Sequence, residues 1–507
     1  MTEFFDQQND STGIFVDVLV VGAGFSGLCM GIKLLEAGTK DFLIIEKSSE
    51  IGGTWWENRY PGCACDVPSH LYSFSFERNP DWTRMFAGGP EIHEYLKACV
   101  ERYGLAPYLR LNTRFQEAAW DEGESLWHVR ASENLRIRAR VLISGVGALH
   151  VPRYPTIPGL EQFGGPAFHS ATWKPEVDLA GKTVAVIGTG ASAIQFVPQI
   201  VPRVGKLYLF QRTPPWIIPR RDAAISEKWR KRFRNVPGAT WAFRQFLFFS
   251  LEWRVLAFLG NLRVRKYFDG IARRHLELIK DPKLRAALTP NYEIGCKRIL
   301  LSDDFFPALN QPHVELVTEK IAEVRGNSVV TCDGVERPAD VLIFGTGFRV
   351  TEPLIGMRLF GRGGVEIHDA WRDGMSAYLG VSVNGFPNFF ILLGPNTGLG
   401  HNSVVLMIEA QVQYVMRCLK LMRRRRMAVM EVRPVTQRDF AVKTRDRLSR
   451  TVWQAGGCRS WYQDSRTGEN TTLWPGSVIG YKRAMRSVAA GKYEWSSVRQ
   501  GNGAPGG

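Results

Sequence analysis

Two glycine-rich runs carry the clearest chemistry in this sequence. The first reads Gly22-Ala23-Gly24-Phe25-Ser26-Gly27 and directly follows the apolar run Val16-Asp17-Val18-Leu19-Val20-Val21. A helix-like stretch, Leu28 to Ala37, comes next, then a second apolar run, Phe42-Leu43-Ile44-Ile45, that ends at Glu46. In a strand–turn–helix of this kind Gly22 makes the tight turn, Gly24 lets a pyrophosphate approach the backbone, and Gly27 lets helix and strand pack closely. The helix N-terminus then attracts the phosphates. Glu46 stands nineteen residues past Gly27. A carboxylate there accepts hydrogen bonds from ribose hydroxyls and repels a 2′-phosphate. The first site therefore reads as one for FAD or NAD rather than NADP.

The second run, Gly188-Thr189-Gly190-Ala191-Ser192-Ala193, follows the strand-like Thr183-Val184-Ala185-Val186-Ile187. Alanine in the last slot is compatible with the same turn. A helix-like stretch continues to about Val201, and the next apolar run is Leu207-Tyr208-Leu209-Phe210. Arg212 stands nineteen residues past Ala193, the offset that Glu46 holds in the first unit. Guanidinium is always charged and binds phosphate through two parallel hydrogen bonds. Thr213 adds a hydroxyl. Gly188, Gly190, Ser192, Arg212 and Thr213 are thus candidate contacts to NADPH; the bland alternative is a surface Arg212 and NADH in the same site. One chain with both kinds of site implies hydride transfer from NADPH to a flavin. Disulfide, quinone and molecular oxygen remain possible final acceptors. Disulfide reduction is disfavoured, because no CxxC is present and Cys63-Ala64-Cys65 is a poor substitute.

These residues must be positioned by strands alternating with helices. From residue 15 onward the sequence reads as an α/β protein with parallel sheets, built on two dinucleotide-binding units of the Rossmann kind. The 507 residues are 45% hydrophobic and 22% charged, which excludes a disordered chain, a collagen and a small disulfide scaffold. The net charge of +16 suits an anionic partner: a phosphorylated cofactor, a membrane surface or a nucleic acid. Two polyphosphate cofactors account for part of it. No nucleic-acid recognition module appears, so none is expected as a partner. The segment 212–234 is very basic, and after Pro219 it reads as a solvated helix face.

No transmembrane segment is expected. Val16–Val21 is too short, and the aromatic stretch 239–261 is interrupted by Arg244, Glu252 and Arg254, against the roughly 20 apolar residues that a span needs. The acidic start, MTEFFDQQND, does not read as a signal peptide, and the Gly/Pro-rich tail from Gly501 reads as frayed. Eight cysteines without a CxxC fit reduced thiols and a cytoplasmic setting. Cys63, Cys65, Asp66 and His70 lie close in sequence, but no second ligand group has metal-like spacing, so no metal is expected.

Three further motifs carry a family resemblance. Residues 52–66 read Gly-Gly-Thr-Trp-Trp-Glu-Asn-Arg-Tyr-Pro-Gly-Cys-Ala-Cys-Asp, residues 163–175 read Phe-Gly-Gly-Pro-Ala-Phe-His-Ser-Ala-Thr-Trp-Lys-Pro, and residues 342–348 read Leu-Ile-Phe-Gly-Thr-Gly-Phe. With the two glycine runs, in this order, they resemble the class B flavoprotein monooxygenases, and more narrowly the type I Baeyer–Villiger monooxygenases. The resemblance spans about residues 15 to 485. Phe163, Gly165, His169 and Trp173 match the family pattern FxGxxxHxxxW, while Lys174 stands where that pattern has Pro or Asp. Sister enzymes that oxygenate nitrogen usually carry Tyr or Phe in place of Trp173.

The resemblance implies oxidation of a ketone to an ester or lactone by O2 and NADPH, through a flavin C4a-peroxide. It implies a catalytic Arg298, oriented by Asp66, and a Lys297 that helps hold the 2′-phosphate. Thr54, Trp55 and Tyr72 match flavin-contacting positions, Trp461 matches a tryptophan that closes over the nicotinamide, and His169 links domain movement to catalysis. The implied architecture is a discontinuous FAD-binding domain, 1–150 and 335–507, with an NADPH-binding domain, 151–334, inserted in it and carrying a helical piece at about 222–290. The expected partners are a small-molecule ketone and O2, and the expected assembly is a monomer or dimer. Alternatives are oxygenation of an amine or thioether, an NADPH oxidase, or a flavin-binding redox protein without turnover.

Overall fold

The first unit is organised around a mixed sheet with a parallel centre, and the second around an all-parallel one. The computed structural model describes residues 13–352 and 354–497; the acidic N-terminal stretch and the tail from Gly501 lie outside them. In the first sheet, of eight strands, Ile14–Val21 is central. It pairs in parallel with Phe42–Ile45 on one side and Arg136–Ser144 on the other. The long strand Arg136–Ser144 changes character along its length. Its first half alternates exposed and buried and pairs antiparallel with Leu126–Ala131. Its last four residues are all buried, and Leu142–Ser144 pair in parallel with Phe389–Ile391. A strand covered on both faces carries apolar residues continuously, whereas one with a wet face alternates.

The second sheet has five strands in the order Val314–Val317, Lys206–Phe210, Thr183–Ile187, Val341–Phe344, Ala167–His169, all parallel. Val341–Phe344 belongs to this sheet, so the second unit extends past residue 334, and the chain rejoins the first sheet only at Arg358–Phe360. Between the short paired strands Ile217–Ile218 and Leu300–Leu301 lie five helices: Glu227–Asn235, Ala239–Glu252, Val255–Phe258, Leu262–Leu276 and Pro282–Ala287. The basic run after Pro219 thus includes a helix of nine residues with one buried side chain, Phe233.

The first glycine run opens directly into the helix Phe25–Glu36, three residues earlier than the sequence pattern suggests. The helix after the second run, Ala193–Ile200, is shorter and holds Pro198 within it. The expectation of uniformly reduced cysteines is corrected at one pair. Cys296 and Cys458, 162 residues apart in sequence, form a disulfide. The Gly456 turn packs onto Glu293, whose N–H donates to the Gly456 carbonyl at 3.1 Å, and this brings the two sulfurs together. Among the described residues, no helix is long and apolar enough to cross a membrane.

Candidate active site

The two glycine turns are built alike. Gly22 has φ +99°, and a Cβ there would stand 2.9 Å from the Gly145 carbonyl oxygen. Gly188 has φ +107°, and a Cβ there would stand 2.5 Å from the Gly345 oxygen. Gly145 and Gly345 each follow the strand on the far side of the turn, Arg136–Ser144 and Val341–Phe344. Both turns therefore sit at the carboxyl edge of a parallel sheet, where the strand order reverses and ligands bind. Gly27 permits the close helix approach, since a Cβ would lie 1.8 Å from the Gly22 oxygen.

A second glycine pair lies over the first turn. Gly52 N–H donates to the Ala23 oxygen at 2.9 Å, and a Cβ on Gly53 would stand 3.1 Å from the Gly24 Cα. The short helix Thr54–Glu57 starts from this pair. The absence of side chains at Gly24 and Gly53 lets the two backbone segments approach closely, the condition under which a pyrophosphate can reach the turn's N–H groups. At the second turn Gly190 and Ala191 are exposed, because the helix begins only at Ala193.

The two units differ in charge beside these turns. Glu46 is buried, and its carboxylate accepts from Ala23 N–H at 2.8 Å and Ser48 N–H at 2.9 Å. It thereby ties the turn to the strand end, and a carboxylate keeps further lone pairs for ribose hydroxyls. At the second turn Arg212 is exposed and Thr213 half-buried. Lys297 approaches Arg212 from the other end of the helical insert. Burial lowers the Lys297 pKa first, and the Arg212 charge lowers it further. Its ammonium lies 4.9 Å over the Tyr292 ring. Among the described residues neither cation has a carboxylate partner, so together they form a site of uncompensated positive charge.

Arg298 and Asp66 meet across the two units. Arg298 Nε donates to Oδ2 and Nη2 to Oδ1, each at 2.8 Å, although the residues are 232 positions apart. The Asp66 carboxylate raises the Arg298 pKa above its already high ordinary value. Arg298 is set by the strand Leu300–Leu301, which pairs with Ile217–Ile218. The Asp66 loop is held from the second unit too. Gln195, on the helix after the second turn, donates to the Ala64 oxygen at 2.9 Å and accepts from Tyr60 OH at 2.9 Å. Arg220 donates to the carbonyl oxygens of Cys65 at 3.2 Å and Phe86 at 3.3 Å. Tyr462 is buried against Arg298, and burial raises its phenol to about 12.

The remaining candidates fall into three places. Trp55 and Tyr72 pack edge to face, with ring centres 5.5 Å apart, and Tyr72 also meets Phe25 of the first helix at 5.2 Å. Phe163, Gly165, His169 and Trp173 lie along the outer edge of the second sheet. A Cβ on Gly165 would stand 2.2 Å from the Asp340 oxygen. His169 pairs with Phe344 and is buried, which lowers its pKa to about 4 and keeps it neutral. Trp173 packs on Phe168 and on Phe196 of the helix after the second turn. Trp461 is exposed, beside the buried Tyr462. Of the four residues that lie close in sequence as conceivable metal ligands, Asp66 is engaged by Arg298, while His70 packs between Phe233 and Phe243.

A protein of Pseudomonas aeruginosa named Baeyer-Villiger monooxygenase is 50% identical over 482 residues, covering 95% of this chain and 92% of that protein. The chain belongs to the Baeyer–Villiger monooxygenases. A family profile described as pyridine nucleotide-disulphide oxidoreductase matches residues 19–237. Among solved Baeyer–Villiger relatives, cyclohexanone monooxygenase from Rhodococcus sp. Phi1 bound to NADP+ superposes with a TM-score of 0.87 at 28% identity, covering 96% of this chain and 100% of that one. OTEMO in complex with FAD and NADP superposes with a TM-score of 0.85 at 27% identity, covering 95% and 99%.

In this Baeyer–Villiger monooxygenase, sequence reasoning missed several residues that build the site. Gly145 and Gly345 are invisible as turn partners until the strands are placed side by side. Gln195 and Arg220 carry no motif of their own. Tyr462 adjoins a residue singled out for its ring, yet Tyr462 is the one buried at Arg298. One signal was present for Gly345, which is the first glycine of the Leu-Ile-Phe-Gly-Thr-Gly-Phe run.

Proposed function

We propose that this enzyme oxidises a ketone to an ester or lactone, consuming one O2 and one NADPH with a proton and releasing NADP+ and water. The first glycine turn binds FAD through Gly22, Gly24, Gly27, Glu46, Thr54, Trp55 and Tyr72. The second binds NADPH through Gly188, Gly190, Ser192, Arg212, Thr213 and Lys297. Bound FAD supplies the redox chemistry, taking hydride from NADPH and activating O2 for transfer to the ketone. The first unit is 1–150 with the chain after the second sheet; the second runs from 151 through Val341–Phe344.

The observation that carries this reading is the bidentate Arg298–Asp66 pair between the units. Oxygen transfer develops negative charge, and a fixed guanidinium beside it stabilises that charge without reorganising. Asp66 takes the Nε–Nη2 edge and so fixes the direction in which Nη1 points. Arg212 and Lys297 read the 2′-phosphate together. Phe163, Gly165, His169 and Trp173 link the sheet edge to the helix of the second turn, and Trp461 covers the nicotinamide when its loop closes. Six free cysteines among the described residues and the demand for NADPH favour a cytoplasmic setting, as monomer or dimer.

The test is product analysis of the FAD-loaded enzyme with NADPH, air and a panel of linear, cyclic, aryl and steroid ketones plus a thioether. Ester or lactone matching the NADPH consumed supports the proposal. Hydrogen peroxide or sulfoxide as the sole product overturns it.

A further inference from the structure

One helix of the insert exposes aromatic rings while it buries charge beside Leu247, Phe248 and Leu251. In the helix Ala239–Glu252 the two charged side chains point inward. Arg244 Nη1 donates to the His70 oxygen at 2.6 Å and the Leu71 oxygen at 3.2 Å. Glu252 accepts from Asn402 Nδ2 at 2.8 Å and Ile479 N–H at 3.0 Å. The outward side is aromatic: Trp241 is 54% exposed, Phe246 65% and Phe249 58%. An amphipathic helix on a protein in water ordinarily shows the opposite arrangement. The exposed series continues through Trp253, Leu256 and Leu259 into the next helices. Phe246, Phe249 and Trp253 follow one another at spacings of three and four residues, which places neighbouring side chains on one helix face, and Trp253 packs on Phe268 of a later helix at 5.7 Å. Contiguous exposed apolar surface of this kind marks a protein or membrane contact.

Charge selects between those occupants. Over residues 226–280, thirteen Lys and Arg stand against four Asp and Glu, a surplus of nine out of the chain's +16. Two of the four acids are already paired: Glu227 with Arg230 and Arg234, Asp269 with Arg273. Lys228, Lys231 and Arg232 on the helix before the aromatic face, and Arg263 and Lys266 on a helix after it, are all exposed. A second copy would bring an equally positive surface against this one, which like charges oppose. An anionic headgroup layer matches both features: aromatic side chains settle at the headgroup level and cations meet the phosphates.

We propose that the face formed by Trp241, Phe246, Phe249, Trp253, Leu256 and Leu259 docks this protein onto an anionic phospholipid bilayer, lying in the interface without crossing it. No helix needs to span, and an apolar face with a cationic margin is the form of an interfacial anchor. The insert joins the strands that lead to Arg220 and to Lys297-Arg298, so the docked face is continuous with the candidate site's own support.

The test uses FAD-loaded full-length protein and co-sedimentation with two vesicle types. One is phosphatidylcholine alone; the other holds roughly one part in three phosphatidylserine. Binding to the anionic vesicles, reversed by salt, is expected. Phe246→Glu with Phe249→Glu should lower partitioning by about tenfold or more. Lys228→Ala with Lys231→Ala should lower it by about thirtyfold, and these exposed positions do not threaten folding. An unchanged flavin spectrum and NADPH oxidation rate establish that each variant is folded. Absence of binding to anionic vesicles, equal binding to neutral ones, or unchanged binding of the lysine variant overturns the proposal. So does a dimer in light scattering that the phenylalanine variant dissolves while wild type ignores vesicles.

Discussion

Arg298→Ala should separate the two halves of the catalytic cycle. The substitution removes both 2.8 Å bonds to Asp66 and leaves that carboxylate, with a 28% exposed side chain, without its cation. At that exposure water recovers part of the lost solvation, so the stability cost stays near that of one charge-assisted contact, about 1.5–3 kcal/mol. In the proposed function hydride delivery depends on coenzyme placement, which Arg212, Lys297 and the second turn would still provide. Oxygen transfer depends on a fixed positive charge, and losing one such preorganised group costs about 2.7–4 kcal/mol, or 10²–10³-fold in rate. The variant should therefore bind FAD and be reduced by NADPH while forming little or no ester. Arg298→Lys should not restore it, because a lysine cannot take both Asp66 oxygens through one planar edge. The assay is anaerobic rapid-mixing reduction by NADPH, followed by oxygen and product quantification. A normal ester yield would place the catalytic charge elsewhere. Equal loss of both half-reactions in a folded, flavin-loaded variant would refute the separation itself.

Two further outcomes follow from charges already described. Arg212→Ala should raise the Michaelis constant for NADPH by roughly 10–150-fold while leaving that for NADH nearly unchanged, since a phosphate contact of about 1.5–3 kcal/mol is lost. Steady-state kinetics with both coenzymes checks this, and equal effects on both would mean that Arg212 does not read the phosphate. Stability should fall as pH drops from about 6.5 towards 4. Burial lowers both His70 and His169 to about 4, so the folded state keeps them neutral while the unfolded chain binds the protons first. The stabilisation is complete above the unfolded value and lost on acidification, up to about 3 kcal/mol for each group. Denaturant midpoints across that range measure it, and a flat profile would count against buried neutral imidazoles.

The strands at 16–21, 42–45, 183–187 and 207–210 were readable because each is a short, predominantly apolar run, interrupted only by Asp17 in the first and opened by Thr183 in the third. Glycine at 22, 27 and 188 was readable because the local backbone demands it. What lay beyond reach depends on long-range approach. Whether Val341–Phe344 belongs to the first or second sheet is not written in its composition, since a parallel strand buried on both faces looks the same in either. Cys296 and Cys458 give no sign of pairing, because their meeting depends on the Gly456 turn. The aromatic helix was legible as too interrupted to span. Its exposed aromatic face was not, because only the packed structure says that Arg244 and Glu252 face inward with Leu247, Phe248 and Leu251.

The segment 60–66 belongs by chain connection to the first unit, yet much of its support comes from the second. Tyr60 and Ala64 bond to Gln195, Cys65 to Arg220, and Asp66 to Arg298. Gly62 permits the approach, as a Cβ there would stand 2.7 Å from the Gln195 oxygen. Four contacts from three separate stretches of the second unit thus determine where one carboxylate sits. Any shift of the second unit against the first must either carry this segment along or break charge-assisted bonds. Because Asp66 aims Arg298, the placement of the guanidinium is coupled to the seating of the coenzyme-binding unit. The long reach in sequence from Asp66 to Arg298 then has a physical reason, since the pair ties together the two units that carry the glycine turns.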